Sequence, residues 1–219
     1  MRAAIARSDT GTDASKDMSN DMSSEIGNDI GNDMAKAAGT ASLKPGSVHV
    51  CPLRVLLALI ERENASHLIS LLQDEILVQR PQTILPERHL RVHVHDICEP
   101  LQGCVHPDAG HIEQIIAFAR AWAGQGPLVV HCWAGISRST AAAYTALCSI
   151  NPELPEELIA RRLRQASPTA YPNRLMIRLA DQALGRDGRM VGAIEAIGRG
   201  VMAAEAVPFT LAADLRPVG

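Results

Sequence analysis

The sequence predicts an α/β fold with a central, mostly parallel sheet that is flanked by helices. Short runs of β-branched and apolar residues alternate along the chain with longer stretches whose apolar residues recur at helical spacing. A strand, a loop, a helix and a second strand in that order form a right-handed crossover, which makes the two strands parallel. With 47% hydrophobic residues in 219, the chain can bury one good core.

The chain is expected to begin with a disordered tail over residues 1–45. This stretch has no aromatic residue and is rich in Ser, Asp, Asn, Gly and Met, so it carries too little apolar mass to offset the entropy of ordering. Pro45 and Gly46 mark the entry to the folded domain, residues 46–185. A C-terminal extension, residues 186–219, is expected to be helical and then irregular.

The elements of the folded domain follow from periodicity and from helix start and stop signals. In the first helix, Leu56, Leu57 and Ile60 have core spacing. The strand that ends at His95 alternates, with Leu90, Val92 and Val94 on one face. The predicted strands cover residues 48–51, 67–72, 88–95 and 128–131, and the predicted helices cover residues 53–63, 108–122, 141–147, 155–166 and 173–185, with helical periodicity again from Met190 to Val201.

The stretch that carries chemistry runs from His131 to Thr140, between a strand and a helix. Five residues separate Cys132 from Arg138, and they can curl so that successive backbone N–H groups point inward and form an anion site at the N-terminus of the following helix. The same N–H groups, the helix dipole and the arginine favour the thiolate of Cys132 over the thiol. A phosphate bound there would lie directly above a nucleophile.

A lone cysteine after a strand is more often a small buried hydrophobe. The other four cysteines provide an internal control, because none of them follows a histidine and none is followed six residues later by arginine. Only Cys132 combines a preceding His131, a bend at Gly135 and a closing run of Ser, Arg, Ser and Thr that enters a helix. The catalytic interpretation is therefore favoured.

The run from His131 to Thr140 resembles the HCxxGxxRS/T signature loop of cysteine-dependent protein tyrosine and dual-specificity phosphatases, in particular the compact bacterial members. The resemblance covers roughly residues 46–184. It implies a dual-specificity-phosphatase-like fold, a phosphatase domain over residues 46–185 and a reaction through a cysteinyl-phosphate intermediate that needs no cofactor. A Pro172-Asn173 entry to the last helix of the domain also resembles a family segment that packs under the signature loop.

The resemblance assigns roles residue by residue. Cys132 is the nucleophile, Arg138 grips two phosphoryl oxygens, and the hydroxyl of Ser139 assists the departure of the thiolate in the second step. His131 braces the loop. The phosphate-binding loop consists of Trp133, Ala134, Gly135, Ile136, Ser137 and Arg138.

A general acid must protonate the leaving oxygen, and three of the carboxylates that precede the signature loop are candidates. Asp96 follows a strand and falls where the acid of the superfamily would lie. Asp108 is an alternative, although it already has a structural role as a helix N-cap. Glu99 ranks third. Because parallel strands deliver their carboxyl ends to one sheet edge, Asp96 and Cys132 should emerge together.

The amino-acid composition disfavours two classes of binding partner. A formal net charge of −3 and 3% aromatic residues argue against nucleic acid and against an anionic membrane. The five cysteines form no CxxC pair and no apolar leader is evident, which favours a reducing, cytoplasmic setting. Phosphoproteins or small phosphomonoesters are the expected substrates, with tyrosine-only and dual specificity both open.

Three other functions remain as alternatives. A pseudo-phosphatase would use the same loop to bind phosphate as an adaptor without turnover. A rhodanese-like sulfur transferase also uses a cysteine after a strand, although its loop would not need Arg138. A metal could bind His93 and His95 with Asp96 or His89, but solvated edge histidines are more common, and no metal is expected.

Overall fold

The computed structural model describes residues 46–73 and 79–216, all of which belong to one compact unit. The predicted tail, residues 1–45, lies outside the described residues. The strands and helices of the described chain are β1 (Ser47–Pro52), α1 (Leu56–Glu63), β2 (His67–Leu72), β3 (His89–His93), α2 (Ala109–Trp122), β4 (Pro127–Cys132), α3 (Arg138–Ile150), α4 (Glu156–Ala166), α5 (Arg174–Ala183), α6 (Arg189–Ala196) and β5 (Phe209–Ala212), with 3-10 turns at Leu53–Val55 and Pro86–Arg88.

The five strands form one sheet in the order β3-β2-β4-β1-β5. Four of them run parallel, and only β5 runs antiparallel, against β1. The prediction of a mostly parallel α/β sheet is confirmed. Because β3 and β4 both run parallel to β2, the chain segments that leave these two strands emerge at the same edge of the sheet.

The core is double-sided, as a parallel sheet requires. Every residue of β2 and of β4 is buried. Helices α2 to α6 cover one face around Trp122 and Tyr144, which are fully buried, and α1 covers the other face with Leu56, Leu59 and Ile60. In the described part of the chain, no helix combines the length and the apolar character that a membrane span needs.

Local differences from the sequence predictions have physical causes. Leu57 is 59% exposed, contrary to prediction, because the first turn is a 3-10 turn that shifts the helical phase and buries Leu59 instead. The strand expected to reach His95 ends at His93. The helix expected to extend to Val201 ends at Ala196, since Gly198 adopts a left-handed φ of 66° just beyond it.

The C-terminal extension contains a strand that periodicity did not indicate. In β5, Phe209 and Leu211 are buried while the residues that alternate with them are exposed. This strand pairs Phe209 with Val50 and extends the sheet beyond β1. Four residues are too short a stretch for an alternating pattern to be recognised.

Candidate active site

The signature loop joins the carboxyl end of β4 to the N-terminus of α3. Cys132 is the last residue of the strand and Arg138 is the first residue of the helix. Both side chains are buried, as is that of Ser139. The strand is buried throughout and the helix is buried from Arg138 to Ser149, so the two elements hold the two ends of the loop in fixed positions.

The loop curls because Gly135 adopts a φ of 73°, which L side chains rarely adopt. A Cβ at this position would also lie only 2.7 Å from the backbone nitrogen of Pro52. Glycine is therefore required both for the backbone conformation and for the close approach of the loop to the end of β1.

Four carbonyl groups of the loop are bound from outside by backbone N–H groups of other segments. The donors and acceptors are Leu53 to Trp133 at 3.1 Å, Ala206 to Ala134 at 2.8 Å, Tyr171 to Ile136 at 3.0 Å and Asn173 to Ser137 at 3.3 Å. In a trans peptide the C=O and the next N–H point in opposite directions. The N–H groups of Ala134, Gly135, Ser137 and Arg138 therefore point towards the inside of the loop.

The sulfur of Cys132 lies at the base of this ring of N–H groups. The backbone N–H of Gly135 donates to Sγ at 3.3 Å, and Ser139 Oγ lies 3.1 Å from it. Either atom of this pair can be the donor, and a thiolate, which can only accept, would receive the hydrogen bond of the Ser139 hydroxyl. Both donors and the N-terminus of α3 stabilise negative charge on the sulfur.

Of the guanidinium nitrogens of Arg138, Nη1 has a hydrogen-bond partner and Nε has none among the described residues. Nη1 donates to the carbonyl of Val94 at 2.8 Å. Nε lies 3.8 Å from Asp96 Oδ2, an ion-pair distance too long for a hydrogen bond. Within the described residues, this buried Nε has no hydrogen-bond partner. An unpaired buried donor is costly, and a phosphoryl oxygen in the loop would satisfy it.

Asp96 lies beside the loop, where two side chains hold one of its oxygens. Ser137 Oγ donates to Oδ1 at 2.7 Å, and Asn173 Nδ2 donates to the same oxygen at 2.9 Å. Asn173 also caps α5 by accepting from the Met176 N–H at 3.1 Å. One buried amide thus connects the Asp96 loop to α5 and, through its backbone N–H, to the signature loop.

The other carboxylate candidates have different positions. Asp108 is the N-cap of α2, where its Oδ1 accepts a hydrogen bond from the His111 N–H at 3.0 Å. The His111 ring in turn accepts a hydrogen bond from the Asp108 backbone N–H, which completes a capping box. Glu99 lines a cavity beside α5 and α6. Asp96 is the candidate that the structure brings into contact with the signature loop.

His131 braces the loop from behind through a buried polar chain. Its Nε2 lies 2.7 Å from Ser70 Oγ, which lies 2.9 Å from His89 Nε2. The Nδ1 of His131 is buried and unpaired in the described structure. The arrangement that leaves no N–H unpaired puts the proton of His131 on Nε2, with Ser70 donating onward to His89.

Burial keeps these imidazoles neutral. It lowers the pKa of His131 from 6.5 to about 4, and it lowers that of His89 to about 4 with a further contribution from Arg91 and Arg80. His131 is therefore a neutral hydrogen-bonding brace at physiological pH.

A second thiol, that of Cys51, lies in the strand next to the one that ends at Cys132. Cys51 pairs with His131 in the register of β1 and β4. Burial, and then the nearby Cys132, raise the pKa of Cys51 to about 12, so Cys51 remains a thiol at neutral pH. Trp133, in contrast, points outward and is 56% exposed at the mouth of the site.

The sequence also offered a metal site at His93 and His95 with Asp96 or His89. Among the residues that the structure describes, no three His, Cys, Asp or Glu side chains are grouped as a metal site would require.

Sequence reasoning missed two contacts of the site. The first is the hydrogen bond between Ser70 and His131. Ser70 could have been singled out from the sequence, because it is the only polar residue within the apolar run 68–72. The second is the hydrogen bond from Arg138 to the Val94 carbonyl. The sequence could not predict it, since every residue has a backbone carbonyl. Asn173 was recognised as a cap, whereas its bond to Asp96 depends on a contact between distant segments.

The fold of this chain also occurs in solved structures. The chain resembles the crystal structure of DUSP15 with a TM-score of 0.52, 22% sequence identity and coverage of 71% of this chain and 92% of that one. The chain has the fold of the dual-specificity phosphatases. A human tyrosine phosphatase-like serine/threonine/tyrosine-interacting protein is also similar, with a TM-score of 0.50, 16% identity and coverage of 64% of this chain and 92% of that one. No protein-family model and no curated protein matches the sequence.

Proposed function

We propose that this chain is a phosphomonoester hydrolase, a protein tyrosine or dual-specificity phosphatase that reacts through a cysteinyl-phosphate. The observation that carries the proposal is the pairing of a buried sulfur, at the base of an inward-facing ring of N–H groups, with a buried arginine whose Nε has no hydrogen-bond partner among the described residues. These groups match the charge and shape of a phosphoryl group.

In the first step the Cys132 thiolate attacks phosphorus, so that an S–P bond forms while the P–O bond to the leaving group breaks. Asp96, protonated, gives its proton to the leaving oxygen. Arg138 and the loop N–H groups bind the equatorial oxygens, whose charge is greatest in the transition state.

In the second step water attacks phosphorus. An O–P bond forms, the S–P bond breaks, and the ionised Asp96 accepts the proton of the water. The Ser139 hydroxyl, 3.1 Å from Sγ, donates to the sulfur as it becomes a thiolate again. The products are inorganic phosphate and the starting enzyme.

The substrates proposed are phosphotyrosine proteins, with phosphoserine, phosphothreonine or small phosphomonoesters as further possibilities that the same loop accommodates. The chemistry needs a reduced nucleophile. All five cysteines are free thiols, and we place the protein in the reducing cytoplasm for that reason.

The test is hydrolysis of p-nitrophenyl phosphate with EDTA present, for the wild type, Cys132→Ser and the control Cys104→Ser. Activity that withstands EDTA, is abolished in Cys132→Ser and persists in Cys104→Ser supports the proposal. If Cys132→Ser stays active, or if activity requires an added divalent ion, the cysteine mechanism is wrong. If the wild type binds a phosphopeptide but never turns it over, the chain is a phosphate-binding adaptor instead.

A further inference from the structure

A cavity of about 310 Å³ lies beside the signature loop, between the loop that follows Asp96, helix α5 and helix α6. Its floor is apolar, formed in part by Ile177 and Ile194, which are buried. Its rim carries three arginines, Arg174, Arg178 and Arg199. The mechanism proposed above uses none of these residues.

Two of the three arginines, Arg174 and Arg199, lie over the ring of Tyr171. The guanidinium carbons of Arg174 and Arg199 lie 5.9 Å and 5.5 Å from the centre of the Tyr171 ring. Arg199 Nε also donates to the Tyr171 hydroxyl at 3.3 Å. The aromatic ring thus fixes two cations at one side of the cavity.

Within the part of the chain that the structure describes, no carboxylate forms an ion pair with Arg174, Arg178 or Arg199. Glu99 and Glu195 also line the cavity, so its charged rim is positive by one. The apolar floor and the small positive excess fit one anionic group on an apolar stem better than a densely charged ligand.

The cavity borders the phosphate site directly. Tyr171 donates its backbone N–H to Ile136 of the signature loop at 3.0 Å. Cys98, on the opposite wall, follows Asp96 by two residues, and Asn173 holds the Ile97 carbonyl between them at 3.3 Å. Since an extended peptide advances about 3.3 Å per residue, a substrate whose phosphate is in the loop would place a residue a few positions away over the cavity.

We propose that this cavity is a second subsite that binds an anionic side chain of the phosphorylated peptide substrate, a carboxylate or a second phosphoryl group, a few residues from the phosphate that is removed. The proposal rests on the hydrolase function proposed above. Arg178 and Arg199 bind the anion, Tyr171 positions Arg199, and the apolar floor receives the stem of the side chain.

The test uses equilibrium binding to Cys132→Ser, which retains the site but cannot turn substrate over. Three phosphotyrosine peptides of one length are compared by calorimetry: one flanked on both sides by glutamine, one by glutamate and one by phosphoserine. The glutamate or the phosphoserine peptide should bind about fivefold to tenfold more tightly than the glutamine peptide, with the preference shrinking as salt rises. The two anionic peptides identify which source the cavity prefers.

The preference should be lost when Arg178→Gln and Arg199→Gln are added together, and it should be retained in Arg120→Gln. Arg120 is a matched control because it is an exposed arginine near the end of α2 that leads into the start of β4, at the sheet edge opposite the signature loop. Equal affinity for all three peptides, or a preference that survives the double substitution, would overturn the proposal.

The two proposals fail separately. If the wild type hydrolyses the glutamine peptide and all three peptides bind equally well, the hydrolase function stands and the subsite is wrong. If no peptide is hydrolysed by the wild type, but the anion preference is present and depends on Arg178 and Arg199, the subsite stands and the hydrolase function is wrong.

Discussion

Asp96 depends on a small number of polar contacts made by side chains from distant segments. One carboxylate oxygen accepts bonds from Ser137 and Asn173, and the other faces Arg138 at 3.8 Å. These contacts fix the carboxyl group beside the loop in which phosphate would bind. Its position, rather than its residue type alone, separates it from Asp108, which is occupied as a helix cap.

Replacing Asp96 by asparagine should remove the general acid and lower kcat for aryl phosphates by about 10²-fold to 10⁴-fold. The rate of this variant should also no longer decline at alkaline pH, because no acid remains to lose its proton. The matched change Asp108→Asn should leave activity close to that of the wild type, since asparagine caps a helix as well as aspartate does. Steady-state kinetics across pH compares them. An alkaline decline that disappears only in Asp108→Asn would show that the acid has been misassigned.

His131 should make the protein less stable in mild acid. Its pKa is about 4 in the folded protein and 6.5 when exposed, so only the unfolded chain gains a proton as pH falls from about 6.5 towards 4, and that gain favours unfolding. Between pH 7 and pH 5 the free energy of unfolding should fall by about 2 kcal/mol from this residue.

Urea denaturation at the two pH values measures this effect. His131→Asn should remove about 2 kcal/mol of the pH dependence, while His67 and His89, whose pKa values burial also lowers to about 4, should retain theirs. An unchanged pH dependence in His131→Asn would contradict the role of burial at this site.

At the scale of elements, the signature loop is held from several directions. The residue that follows β1 and the segment before β5 each donate one backbone hydrogen bond to a carbonyl of the loop, and the segment before α5 donates two. The C-terminal extension is therefore part of the support of the loop, because Ala206 lies three residues before β5 and binds Ala134 at 2.8 Å.

Leu211→Ala in β5 should destabilise the protein by about 2–4 kcal/mol, because Leu211 is 4% exposed and packs in the main core. Val207→Ala, at a position that is 80% exposed, should change stability by less than about 0.5 kcal/mol. Thermal or chemical denaturation measures both. Equal effects of the two substitutions would contradict the packing of β5 against the core.

The sequence predicted those elements whose signal is local. Strand β2 and helix α2 were predicted within a residue or so because a continuous apolar run and an aspartate cap mark their ends. The prediction of which residues of α1 face the core was wrong because a 3-10 turn, which shifts the helical phase, has no distinctive residue pattern. Strand β5 was missed because four residues are too few to show an alternating pattern. Within the site, the loop residues have a motif, whereas the bond between Ser70 and His131 joins distant segments.

The whole molecule delivers reactive groups from two strands to one edge of a parallel sheet. Strands β3 and β4 both pair with β2, and the segments that follow them supply Asp96 and the signature loop. Parallel α/β sheets generally bind ligands beyond the carboxyl ends of their strands. The main core lies under this edge and supports the residues of the candidate site.

Binding of inorganic phosphate should therefore stabilise the whole domain. At a concentration one hundred times Kd, the gain is about 2.7 kcal/mol, and differential scanning fluorimetry would record it as a higher Tm. Arg138→Lys should lose most of the shift because lysine cannot form the bidentate contact, whereas Arg120→Lys should keep it. A shift that is the same in all three proteins would place phosphate outside the signature loop.

The central claim is that a phosphoryl group passes through Cys132. The most direct measurement is rapid acid quench of Ser139→Ala during hydrolysis of p-nitrophenyl phosphate, followed by mass spectrometry of the peptide that contains Cys132. Because this substitution removes the hydroxyl that assists thiolate departure, the intermediate should accumulate, and the peptide should carry the added mass of one phosphoryl group. Turnover with no phosphoryl group on Cys132 at any quench time, or with the group on another residue, would contradict the mechanism.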